Sequence, residues 1–266
     1  MLLKISHRTL YRYDEPVHYS LHQIRLTPKS QTCQQILNWQ TTIEGGRKEL
    51  EFQDQHSNQV ILASFTAGQS EISIDSYGEV ETVDTHGVVA EAAGFAPLWY
   101  YLRVTSLTRP GANVRKLVKQ LGESFDSDIE RLHALSEFIS GLVTYETGKT
   151  HSATPAEDAL SAGHGVCQDH AHIFIAAARL MNYPARYVSG YLMMDDQIDQ
   201  DASHAWAEAF VSGLGWVGFD VSNRISPDER YVRIATGLDY QDVAPISGLR
   251  LGDSDETMIV SLQVQQ

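Results

Sequence analysis

The stretch GHGVCQDHAH, residues 163–172, puts three histidines, one cysteine and one aspartate into ten positions. Two chemistries use such residues. A transition metal would draw its donors from Cys167, His164, His170 and His172. A thiol enzyme would use Cys167 alone, as a nucleophile at the head of a helix. The metal reading needs ligands on one face. Cys167 and His170 are three apart and can meet, but His172 lies five positions on, about 140° further around a helix. His164 precedes the helix. The stretch offers at most three ligands, without the paired spacing of a structural zinc site.

The thiol reading draws on the residues C-terminal to Cys167. In AHIFIAAARLMNYPARYVSGYL, Ala171, Phe174, Ile175 and Ala178 recur at the spacing of a buried helix stripe. Cys167 extends that stripe to the first turn, so its thiol is expected to face inward, toward a sheet. A helix N-terminus carries free N–H groups and partial positive charge, which favour a thiolate. Gly163 and Gly165 let the preceding backbone approach a ligand closely.

A thiol nucleophile also needs a base and a group to orient it. In SHAWAEAFV, strand alternation puts His204, Trp206, Glu208 and Phe210 on one face; in GWVGFDVS it groups Trp216, Gly218 and Asp220. The turn SGLG between them is short enough for a hairpin. If Val211 lies opposite Gly215, Trp206 faces Asp220 and His204 is diagonal to it, within reach. A slip of one residue would separate them. In that register Asp220 can hold one imidazole nitrogen while the other faces Cys167.

The elements that must hold these residues divide the chain in two. Residues 1–84 read as β: Leu3, Ile5, His7, Thr9, Tyr11 and Tyr13 alternate with the residues between them, and β-rich runs come after. The breaks EGG, QDQHSN and TAGQ carry turn residues. This predicts a small antiparallel sandwich. His7, His18, His22 and His56 are scattered through it and read as surface or internally satisfied side chains. From about residue 108 the pattern turns helical. Pro110 sits at an early helix position, Ser127 and Glu130 form a capping box, and Thr154, Pro155 and Glu157 repeat the device. Strands run from the Cys167 helix to the C-terminus. The fold class is α+β, with an N-terminal β-sandwich and linker over 1–100 and a core of helices on an antiparallel sheet over 101–266.

Composition narrows the partners. The chain has 266 residues, 42% hydrophobic and 20% charged, with a formal net charge of -14. No basic stripe suits nucleic acid, and an acidic protein gains nothing at an anionic membrane. Two distant cysteines, Cys33 and Cys167, are no disulfide framework, and Cys33 reads as a free thiol. The N-terminus lacks a signal-like apolar run and IFIAAARLM is too short to span a bilayer. A cytoplasmic location is the expectation.

GVCQDHAH, ASHAWAEAFVSGLGWVGFDVSN and RYVRIATGLDYQDVAPISG together resemble the bacterial transglutaminase-like superfamily of papain-like thiol enzymes, often described as cysteine proteases. The β region resembles the extra domain found before that core. The resemblance implies Cys167 as nucleophile, His204 as general base and Asp220 as the group orienting the histidine. It implies acyl transfer from a peptide or isopeptide-like amide through a thioester, by hydrolysis or by transfer to an amine, without a cofactor or metal. A non-catalytic binding scaffold is the other class. The backbone N–H of Cys167 is the expected first oxyanion donor, with Tyr145 and Gln168 as side-chain candidates. Trp206, next to the histidine, either walls the site from water or packs. The run DDQIDQD, with aspartates at 195, 196, 199 and 201, ends just before His204. At the mouth of a site it would favour cationic substrates, and as a solvated loop it would select nothing. It lacks the glycine and terminal glutamate of a calcium-binding EF-hand loop.

Overall fold

A computed structural model describes residues 1–17, 19–65, 68–89, 96–194, 198–200, 202–251 and 256–266. The first part of the chain forms β1 (Leu2–Val17), β2 (Tyr19–Thr27), β3 (Gln34–Glu44), β4 (Gly46–Gln53), β5 (Gln59–Phe65) and β6 (Gln69–Thr82). Then come α1 (Ala112–Leu121), α2 (Asp128–Leu142), β7 (Thr144–Tyr145), α3 (Ala156–Ala162), β8 (His164–Gly165), α4 (Cys167–Leu180) and β9 (Ala185–Leu192). The chain closes with β10 (Asp199–Gln200), β11 (His204–Val211), β12 (Gly215–Phe219), β13 (Tyr231–Gly237), α5 (Tyr240–Val243), β14 (Ile246–Leu251) and β15 (Glu256–Gln265). The class is α+β, as the sequence pattern predicts.

Two antiparallel sheets make the sandwich, in the orders β10-β15-β1-β6-β3 and β14-β2-β5-β4. A third, β12-β11-β9-β13, makes the floor of the helical part. The sequence-based division gives residues 101–266 to the second half. The pairing takes the chain's end back: β14 pairs with β2 and β15 with β1 over Lys4↔Gln265 to Tyr13↔Glu256. Two edge strands of the sandwich thereby gain backbone partners that their own hairpins do not supply.

β1 carries its alternation through two cores. Leu3 and Ile5 pack with the helices, whereas Tyr11 and Tyr13 pack inside the sandwich. Between them sits buried His7, whose ring nitrogens bond the hydroxyls of Tyr191 (2.9 Å) and Thr9 (3.1 Å). Burial pushes this imidazole down to about 4, so it stays neutral.

The helix α4 is buried on every side from Asp169 to Arg179, more than the single stripe expected. Ala205, Ala207 and Ala209 present only methyl groups toward it, so the helix lies close on β11. A buried Arg179 is tolerated because its guanidinium donates to the carbonyls of Tyr101, Ala185 and Leu238 and to the Thr108 hydroxyl. On the far face of the same sheet, Glu208 is clamped by Arg186 (2.6 Å) and Arg233 (2.7 Å).

Two caps differ from their sequence reading. Pro110 lies before α1, not in it, and Gly111 is the cap residue. Glu157 does not close a box with Thr154. Its carboxylate accepts from the N–H groups of Gly111, Asn113 and Val114, capping α1 from outside, while Thr154 accepts from the N–H of His151. A first-turn glutamate reaches whichever unsatisfied N–H groups lie nearest, and the start of α1 abuts α3. At α2, Ser127 accepts from Glu130 N as expected, but the Glu130 side chain reaches Asp126 N.

Candidate active site

The β11–β12 hairpin has the register that brings His204 to Asp220: Val211 faces Gly215 and Ala207 faces Phe219. Asp220 lies one residue past β12, and its Oδ2 accepts from His204 Nε2 at 2.6 Å. That bond leaves Nδ1 for a second partner, and Cys167 lines the same cleft as His204 and favours its charged form. Burial alone would lower the His204 pKa. The bonds and charges of Asp220 and Cys167 outweigh it and push the imidazole up to about 10. Asp220 is fully buried, which by itself would raise its carboxyl. The donors around it hold it below its ordinary value instead.

Cys167 opens α4, half-buried, at the side of a cleft of about 620 Å³. The turn before it is fixed by Asp169, whose Oδ2 accepts from Val166 N (2.8 Å) and the Thr150 hydroxyl (2.7 Å). Gly165 is required here, because a Cβ would meet Asp169 Cβ at 2.7 Å. Tyr145 lines the cleft with its ring 6.2 Å from His170. Burial and then the nearby Cys167 push its phenol up to about 12. Gln168 also lines the cleft, but its amide Nε2 donates to Ser152 O (3.1 Å). Trp206 lies behind His204, its ring stacked on the imidazole at 6.2 Å, and it lines a small cavity on the opposite side rather than the cleft.

The other histidines of the opening stretch have separate duties. His170 bonds Ser222 Oγ (2.8 Å) and Val143 O (3.0 Å). His172 is fully buried and accepts from Tyr240 N (3.2 Å); burial pushes it down to about 3. Among the described residues, no three His, Cys, Asp or Glu side chains converge as metal ligands. Asp199 is paired through β10 with β15, while Asp195, Asp196, Asp201 and His18 lie outside the described residues. Among those described, no helix is long and apolar enough to cross a membrane.

Family models match both halves. Residues 3–81 match the bacterial transglutaminase-like N-terminal region, and 115–221 the transglutaminase-like superfamily core. The chain belongs to the transglutaminase-like superfamily. Cys167, His204 and Asp220 all fall within the core match. An uncharacterized protein of Mycobacterium leprae is 29% identical, covering 98% of both chains. One of Mycobacterium tuberculosis is also 29% identical, covering 98% of this chain and 91% of its own. The crystal structure of a "putative cysteine protease" from Cytophaga hutchinsonii superposes with a TM-score of 0.78 at 24% identity, over 100% of this chain and 91% of that one. That likeness shows a shared fold along the whole chain, and the family match over 115–221 marks its core as transglutaminase-like.

Within this transglutaminase-like site, several residues escape sequence reasoning. Asp220 Oδ2 also accepts from the Tyr231 hydroxyl and Asn223 Nδ2, both at 2.7 Å. Asn223 is three residues on, in a turn that sequence periodicity does not describe. Tyr231 arrives on β13, three strands from β12 across the sheet. Tyr187 and Tyr240 enter the cleft from β9 and α5. Asp169 had a local signal: an acidic side chain at the third helical position, able to bond back to the residue before the helix.

Proposed function

We propose that this chain is a thiol-dependent acyl-transfer enzyme that hydrolyses peptide or isopeptide-like amides. The observation that carries the reading is the 2.6 Å His204–Asp220 bond in a buried site where His204 is also coupled to Cys167 at a helix start. The raised His204 is a strong enough base to take the Cys167 proton and hold it as the sulfur attacks. The Cys167 sulfur bonds to the amide carbon, and the carbonyl oxygen takes the negative charge. The Cys167 backbone N–H, and Tyr145 from across the cleft, are the donors suited to that oxygen. Collapse breaks the C–N bond, and the amine leaves with the proton of His204. Neutral His204 then removes a proton from water, which attacks the thioester; the C–S bond breaks, the carboxylic acid product departs, and Cys167 and His204 share the proton again.

Amine transfer would use the same atoms, with an amine in place of water. One wall of the cleft carries Thr147, Ser222 and Asn223, which give water a polar path to the thiol and support hydrolysis. Mass spectrometry of a glutamine peptide, with and without a primary amine, distinguishes the products. Hydrolysis adds 1 Da (roughly, the change from amide to acid in acyl transfer to water) and is lost in Cys167→Ala. Equal reaction by Cys167→Ala would overturn the thiol mechanism. A scaffold without catalysis would show no product and a Cys167 no more reactive to iodoacetamide than a free thiol.

A further inference from the structure

The two walls of the cleft differ in chemistry, and α4 explains why. Seen from Cys167, His170 and His172 project to different sides of the helix. On the His170 side stand Tyr145 and the Ser222 hydroxyl, with Asn223 next to it. On the His172 side, Tyr187 lies with its ring 5.1 Å from His172. Tyr240 stands edge-on to Tyr187 at 6.3 Å, and its N–H is held by His172 Nε2. Tyr240 begins α5, whose first turn is fixed by Asp239 accepting from Gln241 N (2.8 Å). Two rings from separate elements thus form a rigid corner, and Met194, 39% exposed, adds an adaptable apolar wall.

No Asp, Glu, Lys or Arg side chain is among the described residues lining this cleft. Of the described lining residues, His204 is the one whose surroundings favour a charge. A charged substrate side chain placed in the corner would give up hydration without gaining a counter-ion from the described lining residues. An apolar one would gain contact with the half-buried Tyr240 ring, which the buried Tyr187 ring backs.

We infer that Tyr240, braced from behind by buried Tyr187, forms a specificity corner, and that the substrate carries an uncharged apolar or aromatic side chain next to the reacting amide. The inference rests on the acyl-transfer reading for the word substrate, but the preference itself is a matter of binding. Half-burying a phenylalanine ring is worth about tenfold in affinity.

Calorimetry on the full chain carrying Cys167→Ala tests this without turnover. The probes are acetylated Xaa-Gln-Gly and Gly-Gln-Xaa amides, with Phe, Leu, Ser, Lys or Glu as Xaa. The expected result is that Phe and Leu peptides of one series bind about tenfold more tightly than their Ser, Lys and Glu counterparts. Adding Tyr240→Ala should bring Phe down to the level of Ser. Equal binding across the set, tighter binding of Lys or Glu, no binding, or an equal loss for every peptide in Tyr240→Ala would each overturn it. Tighter Lys binding would point to the acidic run 195–201 as the selector. Preference in binding with no turnover by the wild type would sink the catalytic reading and leave the corner standing. Turnover without preference would do the reverse.

Discussion

His204 is under two opposed pressures, and its environment decides between them. Burial disfavours the imidazolium; Asp220 and Cys167 favour it and win. Because its folded pKa, about 10, lies above the ordinary 6.5, its contribution to stability is complete below about 6.5 and lost as pH rises toward 10. Asp220 runs the other way: its lowered pKa gives stability that is lost on acidification below the ordinary carboxylate range. Asp220→Asn replaces the carboxylate with a neutral amide. An NMR titration of the His204 ring should then move from near 10 toward 6.5, and amide turnover should fall by about 10²–10⁴-fold. An unmoved midpoint would mean that Asp220 does not hold the proton on His204. The three residues of this site were legible because each sits in a local pattern: a helix stripe, strand alternation and a short hairpin turn. Tyr231 was not, because its bond to Asp220 depends on how β13 crosses the sheet.

At the scale of the elements, small residues set the distances. Gly190 on β9 lies opposite His204, and a Cβ there would overlap the Val232 carbonyl oxygen and meet Trp206 Cη2 at 2.6 Å. Trp206 backs the His204 ring, so the displacement reaches the site. Gly190→Ala should destabilise the protein by about 1–3 kcal/mol, the usual range for overpacking. It should also slow Cys167-dependent turnover in the fraction that folds, and urea unfolding beside kinetics separates the two effects. Glu157→Ala should cost about 1–3 kcal/mol by stripping three N–H groups at the start of α1 of their acceptor. It should leave the pH profile of turnover unmoved, since α1 does not touch His204 or Asp220; a shifted profile would contradict that separation. The sequence announces that Glu157 caps a helix, but not which one. A capping pattern is local, whereas the acceptor's choice depends on tertiary neighbours.

The whole molecule is held by backbone edges that cross between its parts. β13 is the outer strand of the third sheet, and its free edge is met by two side-chain amides of the β region. Gln34 accepts from Arg233 N and donates to Arg233 O, both at 2.8 Å; Asn58 does the same at Thr236, at 2.9 and 2.8 Å. Each amide supplies the pair of bonds that a neighbouring strand would, so a strand that holds Asp220 through Tyr231 is steadied from the far side. The same logic governs β15, whose partner β1 lies at the other end of the chain. Hydrophobic periodicity identifies β15 as a strand but says nothing about pairing across some 250 residues, a separation fixed by the register Lys4↔Gln265. A chain cut to residues 101–266 would therefore leave β15 without β1, β14 without β2 and the edge of β13 bare. It would also lose Leu3, Ile5 and Val80 from the core that the helices share. Such a fragment should lack a cooperative urea transition and bind hydrophobic dyes, while the full chain unfolds in one step. A fragment with a sharp transition and an intact His204 titration would show that the core stands alone, and that the returning strands serve the sandwich only.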